Sequence, residues 1–376
     1  MKILVLNCGS SSVKFDLWET SPEAISANSD KLTTRGTIER ISNIDEALRT
    51  VFAKLGDMPV EAVGHRIVHG GDKYHASVLI DAEVERDIEI LGDLAPLHNP
   101  HNLAGVRAAR QHLPGASHVA VFDTAFHHTL PRVAYAYGLP YEYLTEKKIR
   151  RYGFHGISHR YVSWRFADLH GKKRGDYRLI TCHLGNGCSA CAIEYGKSMD
   201  TSMGFTPLEG LVMGTRAGDV DAGAILHLIT HEKEEPRRVL KMLNNDSGLQ
   251  GISGVSNDMR DVRKSAAAGD ERSQLAVDMF CYRVRKYIGA YLAAMDGADA
   301  LIFTGGIGEN SPEIRAQICG KMGSLGIALD PAANSVKSDD DRQIGTGNVP
   351  VWVVPTQEEL LIARDTVRCV LGIPHE

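Results

Sequence analysis

The chain reads Ile3-Leu4-Val5-Leu6-Asn7-Cys8-Gly9-Ser10-Ser11-Ser12-Val13-Lys14-Phe15 near its start and Leu179-Ile180-Thr181-Cys182-His183-Leu184-Gly185-Asn186-Gly187-Cys188-Ser189-Ala190 in its middle. Each stretch is an apolar run typical of a β-strand, a tip of small polar residues and a second such run, which predicts a β-hairpin. Small tip residues let backbone N–H groups approach an anion closely, so each tip is suited to hold phosphate. Tight hairpins also favour these residues for conformational reasons alone, and for one hairpin by itself both interpretations stay open.

A third glycine-rich segment favours the phosphate interpretation. Residues 300–303 predict a buried strand, residues 304–310 a glycine-rich turn, and Ser311 and Pro312 the N-cap and first residue of a helix. A strand, a glycine-rich turn and a helix in this order are typical of a nucleotide site. The sequence contains neither a P-loop nor a dinucleotide-binding glycine pattern with its acidic residue.

Composition narrows the class of protein. The 376 residues carry a net charge of −5 with lysine and arginine dispersed, which suggests neither nucleic acid nor an anionic membrane as a partner. No apolar run approaches the roughly 20 residues that span a bilayer, and no signal peptide is evident. The seven cysteines, an odd number, indicate reduced thiols. We therefore expect a cytoplasmic protein.

Two short motifs resemble metal sites. Cys188-x-x-Cys191 lacks a second ligand pair at zinc spacing and lies on the return arm of the second hairpin. His98-x-x-His101 stands between prolines at a predicted helix start and also lacks further ligands. A structural role for the cysteines and a loop or substrate-contact role for His98 are favoured.

Strand and helix patterns alternate along the chain. We expect helices over 44–55, after Asp81, after Asn99, over 271–295 and over 359–371, and strands over 60–67 and 118–122. Residues 338–342 are expected to form a solvated loop. The apolar stripe of the helix over 271–295 indicates packing in a core or a dimer, not chemistry.

Several long sequence motifs occur along the chain in the same order as in one protein family. They are Asn7-x-Gly-Ser-Ser-Ser-x-Lys14, Gly64-His-Arg-Ile-Val-His-Gly-Gly71, Pro96-Leu-His-Asn-Pro100, Phe122-Asp-Thr-Ala-Phe-His127, Arg151-Tyr-Gly-Phe-His-Gly156, His183-Leu-Gly-Asn-Gly187, Asp200-Thr-Ser-Met-Gly204, Thr206-Pro-Leu-Glu-Gly210, Gly214-Thr-Arg216, Gly305-Gly-Ile-Gly-Glu-Asn310 and Glu358-Glu-Leu. Together they resemble the acetate kinase family over residues 1 to about 366.

The resemblance implies an α/β fold. It has two duplicated ribonuclease H-like domains, as in the superfamily of sugar kinases, Hsp70 and actin, with an interdomain active-site cleft. The expected domains are residues 1–122 with 361–376, and residues 123–360. The first carries one phosphate hairpin and part of the acyl site, and the second carries the other hairpin and the nucleotide site.

The resemblance also implies a reaction. It is the reversible transfer of the γ-phosphoryl group of ATP to acetate, in line and with Mg²⁺, for which Mn²⁺ could substitute, giving acetyl phosphate and ADP. A homodimer is expected. A propionate or other short-chain acylate kinase is the alternative enzyme. A chaperone or repressor of the same superfamily would need a peptide-binding extension or a helix-turn-helix segment, and the chain has no spare region for either.

Site residues follow from the same resemblance. The implied catalytic residues are Arg66, Asp123, His155 and Arg216, and Asn7 and Glu358 are the implied Mg²⁺ residues. The acyl site is expected to comprise Arg66, Val68, Leu97, His98, Phe154 and Pro207. The ATP site is expected to comprise Ser10, Ser12, Lys14, His183, Leu184, Gly185, Asn186, Gly187, Asp258, Met259, Arg260, Gly306, Ile307, Gly308, Glu309 and Asn310.

Chemistry refines three of these roles. The arginines offer planar forks of donors to a carboxylate and to the moving phosphoryl group. A carboxylate substrate is already ionised, so Asp123 need not act as a base and could orient Mg²⁺ or Arg216 instead. Val68 leaves room for acetate, whereas alanine would admit one more methylene. The bland alternative is that Val68, Leu97, Phe154 and Pro207 only pack the core.

Overall fold

The computed structural model of the protein describes residues 1–96 and 98–374, so Leu97 of the predicted acyl site lies outside the described residues. The strands are β1 Lys2–Cys8, β2 Ser12–Glu19, β3 Lys31–Glu39, β4 Ala62–Ile67, β5 Val78–Leu79, β6 Ser117–Phe122, β7 Arg178–Leu184, β8 Cys188–Glu194, β9 Lys197–Thr201, β10 Ala300–Thr304, β11 Arg342–Gln343 and β12 Val351–Val353.

Helices connect and cover these strands. They are α1 Pro22–Ala27, α2 Ile44–Leu55, α3 Ala82–Ile90, α4 Asn99–His112, α5 Arg132–Tyr135, α6 Tyr141–Thr145, α7 Gly156–Leu169, α8 Ala222–Thr230, α9 Pro236–Asn245, α10 Gly248–Ser253, α11 Met259–Ala267, α12 Glu271–Ala294, α13 Gly305–Asn310, α14 Pro312–Cys319, α15 Pro331–Ser335 and α16 Glu358–Leu371. Short 3₁₀ turns occur at Leu91–Asp93, Ala125–Thr129 and Gly323–Leu325.

The chain divides into two compact units. The first unit is Met1–His128 with Gln357–Glu376, and the second is Thr129–Thr356. These boundaries lie a few residues from the expected 122/123 and 360/361. Two hydrogen bonds explain the first difference, because they tie residues 123–124 to the first unit. Asp123 N donates to Ile67 O at 2.9 Å, and Gly70 N donates to the side-chain oxygen Thr124 Oγ1 at 3.0 Å.

The two units contain sheets with the same arrangement of strands. The first has the strand order β3-β2-β1-β4-β6-β5, and the second, read from its other end, has β9-β8-β7-β10-β12-β11. In each, a hairpin and a third antiparallel strand are followed by two parallel strands and an antiparallel edge strand. The predicted α/β class with a duplicated domain is confirmed.

Strand composition explains where each core lies. In β1 and β2 the apolar side chains of Leu4, Leu6, Val13, Phe15 and Leu17 are buried and pack with α2. A second cluster, on the side of β4 and β6, contains Ile67, Val84, Ile88, Val106 and Phe122. Strand β10 of the second unit is buried along its whole length, as expected for a central parallel strand. Both hairpins are therefore anchored in packed sheets.

Most of the predicted helices and strands are present, and the prediction of one turn was wrong. Helices α2, α4 and α12 and strand β6 fall within a residue of where the sequence placed them, while β4 begins two residues later than residue 60. Residues 305–310, predicted as a turn, form the short helix α13, opened by Gly305 at φ +76°. Its end is close to α14, which begins with Pro312 as predicted. Within the predicted solvated loop, Asp341 forms an ion pair with Arg165 at 2.7 Å.

The structure also shows the state of the cysteines and whether any helix could span a membrane. All seven thiols are free, in agreement with the prediction. No helix in residues 1–96 and 98–374 is both long and apolar enough to cross a bilayer.

Candidate active site

The first hairpin presents its predicted phosphate residues at its tip. Asn7 on β1 pairs in register with Lys14 on β2, and Gly9 N donates to Ser12 O at 2.9 Å to close the turn. The side chains of Ser10 and Lys14 are exposed, so their donors are open to a ligand. The hairpin tip thus offers hydroxyl, amide and ammonium groups at the ends of strands β1 and β2.

Arg66 and Asp123 form a close ion pair in the first unit. Arg66 Nε donates to Asp123 Oδ1 at 3.0 Å and Arg66 Nη2 to Asp123 Oδ2 at 2.6 Å, and the Asp123 side chain is only 2% exposed. Burial opposes the guanidinium charge, but the carboxylates of Asp123 and Glu358 raise the pKa of Arg66. The bidentate bond fixes the plane of the guanidinium. Asp123 therefore orients Arg66, a partner that the sequence did not suggest.

The start of α4 holds the loop that follows Arg66. Asn102 Oδ1 accepts from Val68 N at 3.0 Å, and Asn99 Oδ1 accepts from His69 N at 3.1 Å. Asn102 Nδ2 also donates to Cys8 O at 2.8 Å, at the end of β1. His98 is the N-cap of this helix, which places it beside the same loop. The loop with Val68 and the first hairpin are thus fixed to one helix end.

Glu358, the first residue of α16, carries an unsatisfied oxygen. Its Oε1 is buried and has no hydrogen-bond partner among the described residues. Burial raises the pKa of Glu358 to about 7, the charge of Arg66 opposes that rise, and Asp123 adds to it. A buried carboxylate oxygen without a donor fits a cation as its partner. The Oε1 atom of Glu358 therefore fits the predicted Mg²⁺ site, and the role of Asn7 there stays a prediction.

The second unit brings two histidines and an arginine to the tip of its hairpin. His155 lies immediately before α7 with a left-handed backbone at φ +56°, and its ring lies 4.3 Å from that of His183, centroid to centroid. A Cβ atom added to Gly187 would lie 3.3 Å from His155 Nε2 and 3.8 Å from Arg216 Nη1. Left-handed backbone at a non-glycine residue is costly, and it is characteristic of functional sites. Gly187 thus leaves a small space in front of both side chains.

A buried chain of hydrogen bonds fixes the ring of His155. Ser189 Oγ lies 2.9 Å from His155 Nδ1 and 2.7 Å from His159 Nε2, and His159 Nδ1 lies 2.7 Å from Thr181 Oγ1. Ser189, His159 and Thr181 are completely buried. Each of the two hydroxyls has one proton to donate.

One proton direction along this chain satisfies both buried hydroxyls. Among the described residues, His159 is the only side-chain partner of Thr181, and in this direction the Thr181 hydroxyl donates to it. His159 then donates to Ser189 through Nε2, and Ser189 donates to His155 Nδ1. With this direction, neutral His155 carries its proton on Nε2, the atom next to Gly187.

Arg216 is held by the loop that contains Pro207. Its Nη1 donates to Pro207 O at 2.9 Å and lies 3.7 Å from Met213 Sδ. Next to it, Asn257 Nδ2 donates to Asn186 Oδ1 at 3.0 Å, and Gly214 N donates to Asn186 O at 2.9 Å. The hairpin tip is thereby joined to the Arg216 loop and to the segment before α11.

The predicted ATP-site residues 258–260 lie at the start of α11, and residues 306–310 lie within α13. Asp258 is the N-cap of α11, and Arg260 Nε donates to it at 3.0 Å. In α13, Glu309 Oε1 accepts from Gly305 N at 2.8 Å and from Thr356 N at 3.1 Å. Ser158 Oγ connects Thr356 Oγ1, at 2.9 Å, to His183 Nδ1, at 2.8 Å. The glycine-rich segment and the second hairpin are therefore fixed to each other.

The structure groups the predicted residues by unit. Arg66, Asp123 and Glu358 form one cluster in the first unit, and His155, His183, Gly187, Arg216 and Pro207 form another in the second. Val68 and Phe154 are buried, 8% and 1% exposed, so their acyl-site role stays a prediction.

The sequence did not predict the residues behind the histidines. Ser189, Thr181 and His159 support His155, and Ser158 supports His183. One signal was present, because His159 follows His155 by four residues and so shares its helix face.

Cys188 and Cys191 lie on β8 and are buried. Burial raises the pKa of Cys188 to about 12, which disfavours the thiolate that metal binding requires. Among the described residues, no group of three or more histidine, cysteine, aspartate or glutamate side chains could hold a metal ion.

Known proteins match this chain over almost its full length. The acetokinase family matches residues 2–364. An acetate kinase of Chloroherpeton thalassium is 48% identical over 414 aligned residues, covering 99% of this chain and 99% of that protein.

Solved structures match as well. The crystal structure of acetate kinase from Porphyromonas gingivalis has a TM-score of 0.90 and 41% identity, covering 98% of this chain and 99% of that chain. A propionate kinase from Francisella tularensis subsp. tularensis SCHU S4 has a TM-score of 0.88 and 40% identity, covering 97% of this chain and 98% of that chain. These similarities extend over both units.

Proposed function

This chain belongs to the acetokinase family, and we propose that it transfers the γ-phosphoryl group of ATP reversibly to acetate, giving acetyl phosphate and ADP. In-line transfer of a phosphoryl group requires aligned substrates and donors around three equatorial oxygens, with little covalent work by the protein. The two clusters of the candidate site supply such donors, and we propose that they act on the same pair of substrates.

The first cluster binds an anionic substrate and orients it. Arg66, held flat by Asp123, presents the outer side of its guanidinium to an anionic substrate. Asp123 acts by positioning Arg66, since acetate needs no base to become a nucleophile. Ser10, Ser12 and Lys14 at the hairpin tip bind phosphate oxygens of the nucleotide.

The second cluster stabilises the charge of the moving group. His155 donates a hydrogen bond through Nε2, and Arg216 donates through its guanidinium, at the space in front of Gly187. His183 and the backbone of residues 184–187 hold the nucleotide phosphates, and residues 258–260 and 306–310 contact its base and ribose.

Asn7 and Glu358 would hold a Mg²⁺ ion, which neutralises charge on the phosphate oxygens when it is bound. The buried, unpartnered Oε1 of Glu358 supports this assignment. Mn²⁺ prefers similar oxygen ligands and could substitute.

The observation that carries the proposal is the convergence of His155 and Arg216 over Gly187, in a chain that matches the acetokinase family along its length. Hydroxylamine traps acyl phosphates as hydroxamates, so purified protein with ATP, Mg²⁺, acetate and hydroxylamine should give acetohydroxamate. The Arg216→Ala variant should give almost none. Hydrolysis of ATP without hydroxamate would contradict the proposal.

Propionate is the second candidate acceptor, and the similarity to a propionate kinase supports it. Val68 favours acetate, since its branched side chain limits the space beside Arg66. A methylene in a fitted pocket is worth roughly 1–3 kcal/mol, so Val68→Ala should raise kcat/KM for propionate relative to acetate about tenfold. A wild-type preference for propionate, or an unchanged ratio in the variant, would contradict the pocket assignment.

We also propose a cytoplasmic homodimer. Helix α8 has an apolar sequence but no buried residue, and Leu226 on it is 60% exposed. Tyr282 on α12 is 59% exposed. Such apolar exposure in the second unit is suited to a partner of the same kind. Free thiols agree with a reducing compartment.

A further inference from the structure

The second unit contains a cavity whose cationic lining has no part in the proposed reaction. It has a volume of about 380 Å³ and lies between the end of α13, the start of α14 and the loop before β11. Its polar lining comprises Glu309, Asn310, Arg315, Lys337, Ser338, Asp339 and Arg342, of which Glu309 and Asn310 also belong to the predicted ATP site. Ligand pockets begin at roughly 300 Å³, so a small organic molecule fits this volume.

Arg315 is the largest fully buried side chain in the described chain, and only neutral groups bind it. Its Nε donates to Asn334 Oδ1 at 2.8 Å, Nη1 to Gly308 O at 2.8 Å and to Glu309 O at 2.9 Å, and Nη2 to Asn334 O at 2.8 Å. A guanidinium has five N–H groups, so one on Nη2 is left over. Burial lowers the pKa of Arg315 to about 10, and the charge of Arg342 adds to this effect.

Arg342 is a second cation of the same kind. Its Nη1 donates to Ser338 O at 2.7 Å and its Nη2 to Glu309 O at 3.1 Å, while Nε is buried without a partner among the described residues. No described carboxylate forms an ion pair with the guanidinium of Arg315 or of Arg342. Lys337 is exposed and, within residues 1–96 and 98–374, makes no hydrogen bond or ion pair.

The nearby carboxylates offset this charge only in part. Glu309 directs its carboxylate to the backbone N–H groups of Gly305 and Thr356. Asp341 pairs with Arg165 at 2.7 Å, and Asp339 is exposed. Burial lowers the pKa of Arg342 even though the charges of Glu309, Asp339 and Asp340 oppose that change. Two guanidinium groups without a paired carboxylate and one ammonium group thus line a single cavity, which Glu309 and Asp339 also line.

We propose that this cavity, which we name the Arg315 pocket, binds a small anion through a phosphate group, as inorganic phosphate or as a phosphate monoester. Buried charge without a counter-ion is costly, and a phosphate offers several acceptors to forked guanidinium donors. We assign as its donors the exposed ammonium of Lys337 and the N–H groups of Arg315 Nη2 and Arg342 Nε that have no partner among the described residues. A monoester uses the remaining volume for its organic part.

Occupation of the Arg315 pocket has a consequence for α13. Both arginines bind the carbonyl of Glu309, so an anion that orders them also stabilises the end of this helix. This coupling alone rests on the proposed function, which places residues 306–310 at the nucleotide. By linkage, phosphate and nucleotide then alter each other's affinity by the same factor.

Calorimetric titration at fixed ionic strength tests the pocket, with inorganic phosphate and glycerol 3-phosphate as probes. Both should bind wild-type protein, and Lys337→Ala and Arg342→Gln should each weaken binding about tenfold, as expected for the loss of one charge-assisted hydrogen bond. Lys321→Ala, which removes an exposed lysine outside the cavity, should bind as wild type does. Tighter binding of the monoester identifies it as the ligand class, and equal binding identifies phosphate itself.

The Arg216→Ala variant separates this site from the candidate active site. Phosphate binding at the Arg315 pocket should persist in it, although acetyl phosphate formation is lost. Binding that disappears in Arg216→Ala and is unchanged in Lys337→Ala and Arg342→Gln would place the anion elsewhere and overturn the proposal. The absence of any phosphate binding to wild-type protein would do the same, whether or not the protein makes acetyl phosphate.

Discussion

Arg66 and Arg216 occur in similar glycine-rich surroundings, but their partners differ. Arg66 is fixed by two bonds to Asp123, whereas Arg216 is fixed through a backbone carbonyl at Pro207. The sequence predicted both arginines from family motifs. It could not pair Arg66 with Asp123, because 57 residues separate them and only the parallel register of β4 and β6 brings them together.

For turnover, the planar arrangement of donors in the Arg216 guanidinium is expected to matter more than its positive charge. Lysine keeps one positive charge but cannot bind Pro207 O and an equatorial phosphate oxygen with the same planar geometry. Arg216→Lys should lower kcat by about 10²-fold, as loss of other charge-stabilising donors does. Steady-state assays measure this, with the exposed Arg238→Lys as a control. Wild-type turnover in Arg216→Lys would remove Arg216 from the proposed mechanism.

Ser189 is expected to act through His155. In Ser189→Ala the ring of His155 loses the donor that keeps its proton on Nε2, so kcat should fall about tenfold by loss of one oriented donor, with a small change in the KM for ATP. Nitrogen NMR of labelled histidine should show the change of tautomer. The buried Ser273, whose hydroxyl has no partner among the described residues, provides Ser273→Ala as a control. An unaltered tautomer in Ser189→Ala would contradict the direction of hydrogen bonding from Thr181 to His155.

At the scale of elements, sequence patterns located most helices and strands. Asp81 and Asn43 cap α3 and α2 through their side chains, and the apolar runs of the two hairpins predicted β1, β2, β7 and β8. The glycine-rich residues 304–310 were predicted to form a turn, and glycine disfavours helices. The bonds from Gly305 N and Thr356 N to Glu309 overcome that preference, and the second of them joins residues too far apart for a local pattern to reveal.

The contact of β4 with α16 depends on Gly64. A Cβ atom there would meet the side chain of Thr366 and would lie 2.7 Å from Ile362 Cγ2. Gly64→Ala should therefore lower the free energy of unfolding by about 1–3 kcal/mol, the usual cost of overpacking. Denaturant titration followed by circular dichroism measures it, with Gly115→Ala as control because nothing lies within 4 Å of the added atom. Equal stability of the two variants would show that α16 can shift at no cost.

At the scale of the whole molecule, the repeated strand order in the two units explains why the phosphate-type hairpin occurs twice. The sequence predicted this duplication from the family resemblance and from the similarity of the two hairpins. The support behind the site, including Ser189, Thr181 and Asn102, could not be predicted. These residues are ordinary polar side chains, and burial beside a partner distant in sequence gives them their role.

Magnesium dependence should vary with pH because of Glu358. Its pKa is raised to about 7, so below that pH the carboxyl is protonated and does not bind a cation. The Mg²⁺ concentration for half-maximal rate should fall as pH rises from about 6 to 8. The sign is opposite for the metal-free fold: the contribution of Glu358 to stability decreases as pH rises from the ordinary pKa of 4.5 towards about 7.

The matched variant for this test is Glu358→Gln. This variant should bind Mg²⁺ weakly. If its Mg²⁺ concentration for half-maximal rate still varies with pH, that variation arises from titration of the nucleotide. Rates measured against Mg²⁺ at three pH values give the comparison. A wild-type dependence identical to that of Glu358→Gln would assign Glu358 a purely structural role.

The transfer of a phosphoryl group from ATP to a carboxylate is the activity on which every residue role depends. Phosphorus NMR of the purified protein with ATP, Mg²⁺ and acetate follows every phosphorus species in one sample. We predict that acetyl phosphate and ADP appear together at equal rates and that added acetyl phosphate with ADP regenerates ATP. Release of inorganic phosphate in place of acetyl phosphate, or no change in ATP, would contradict this activity.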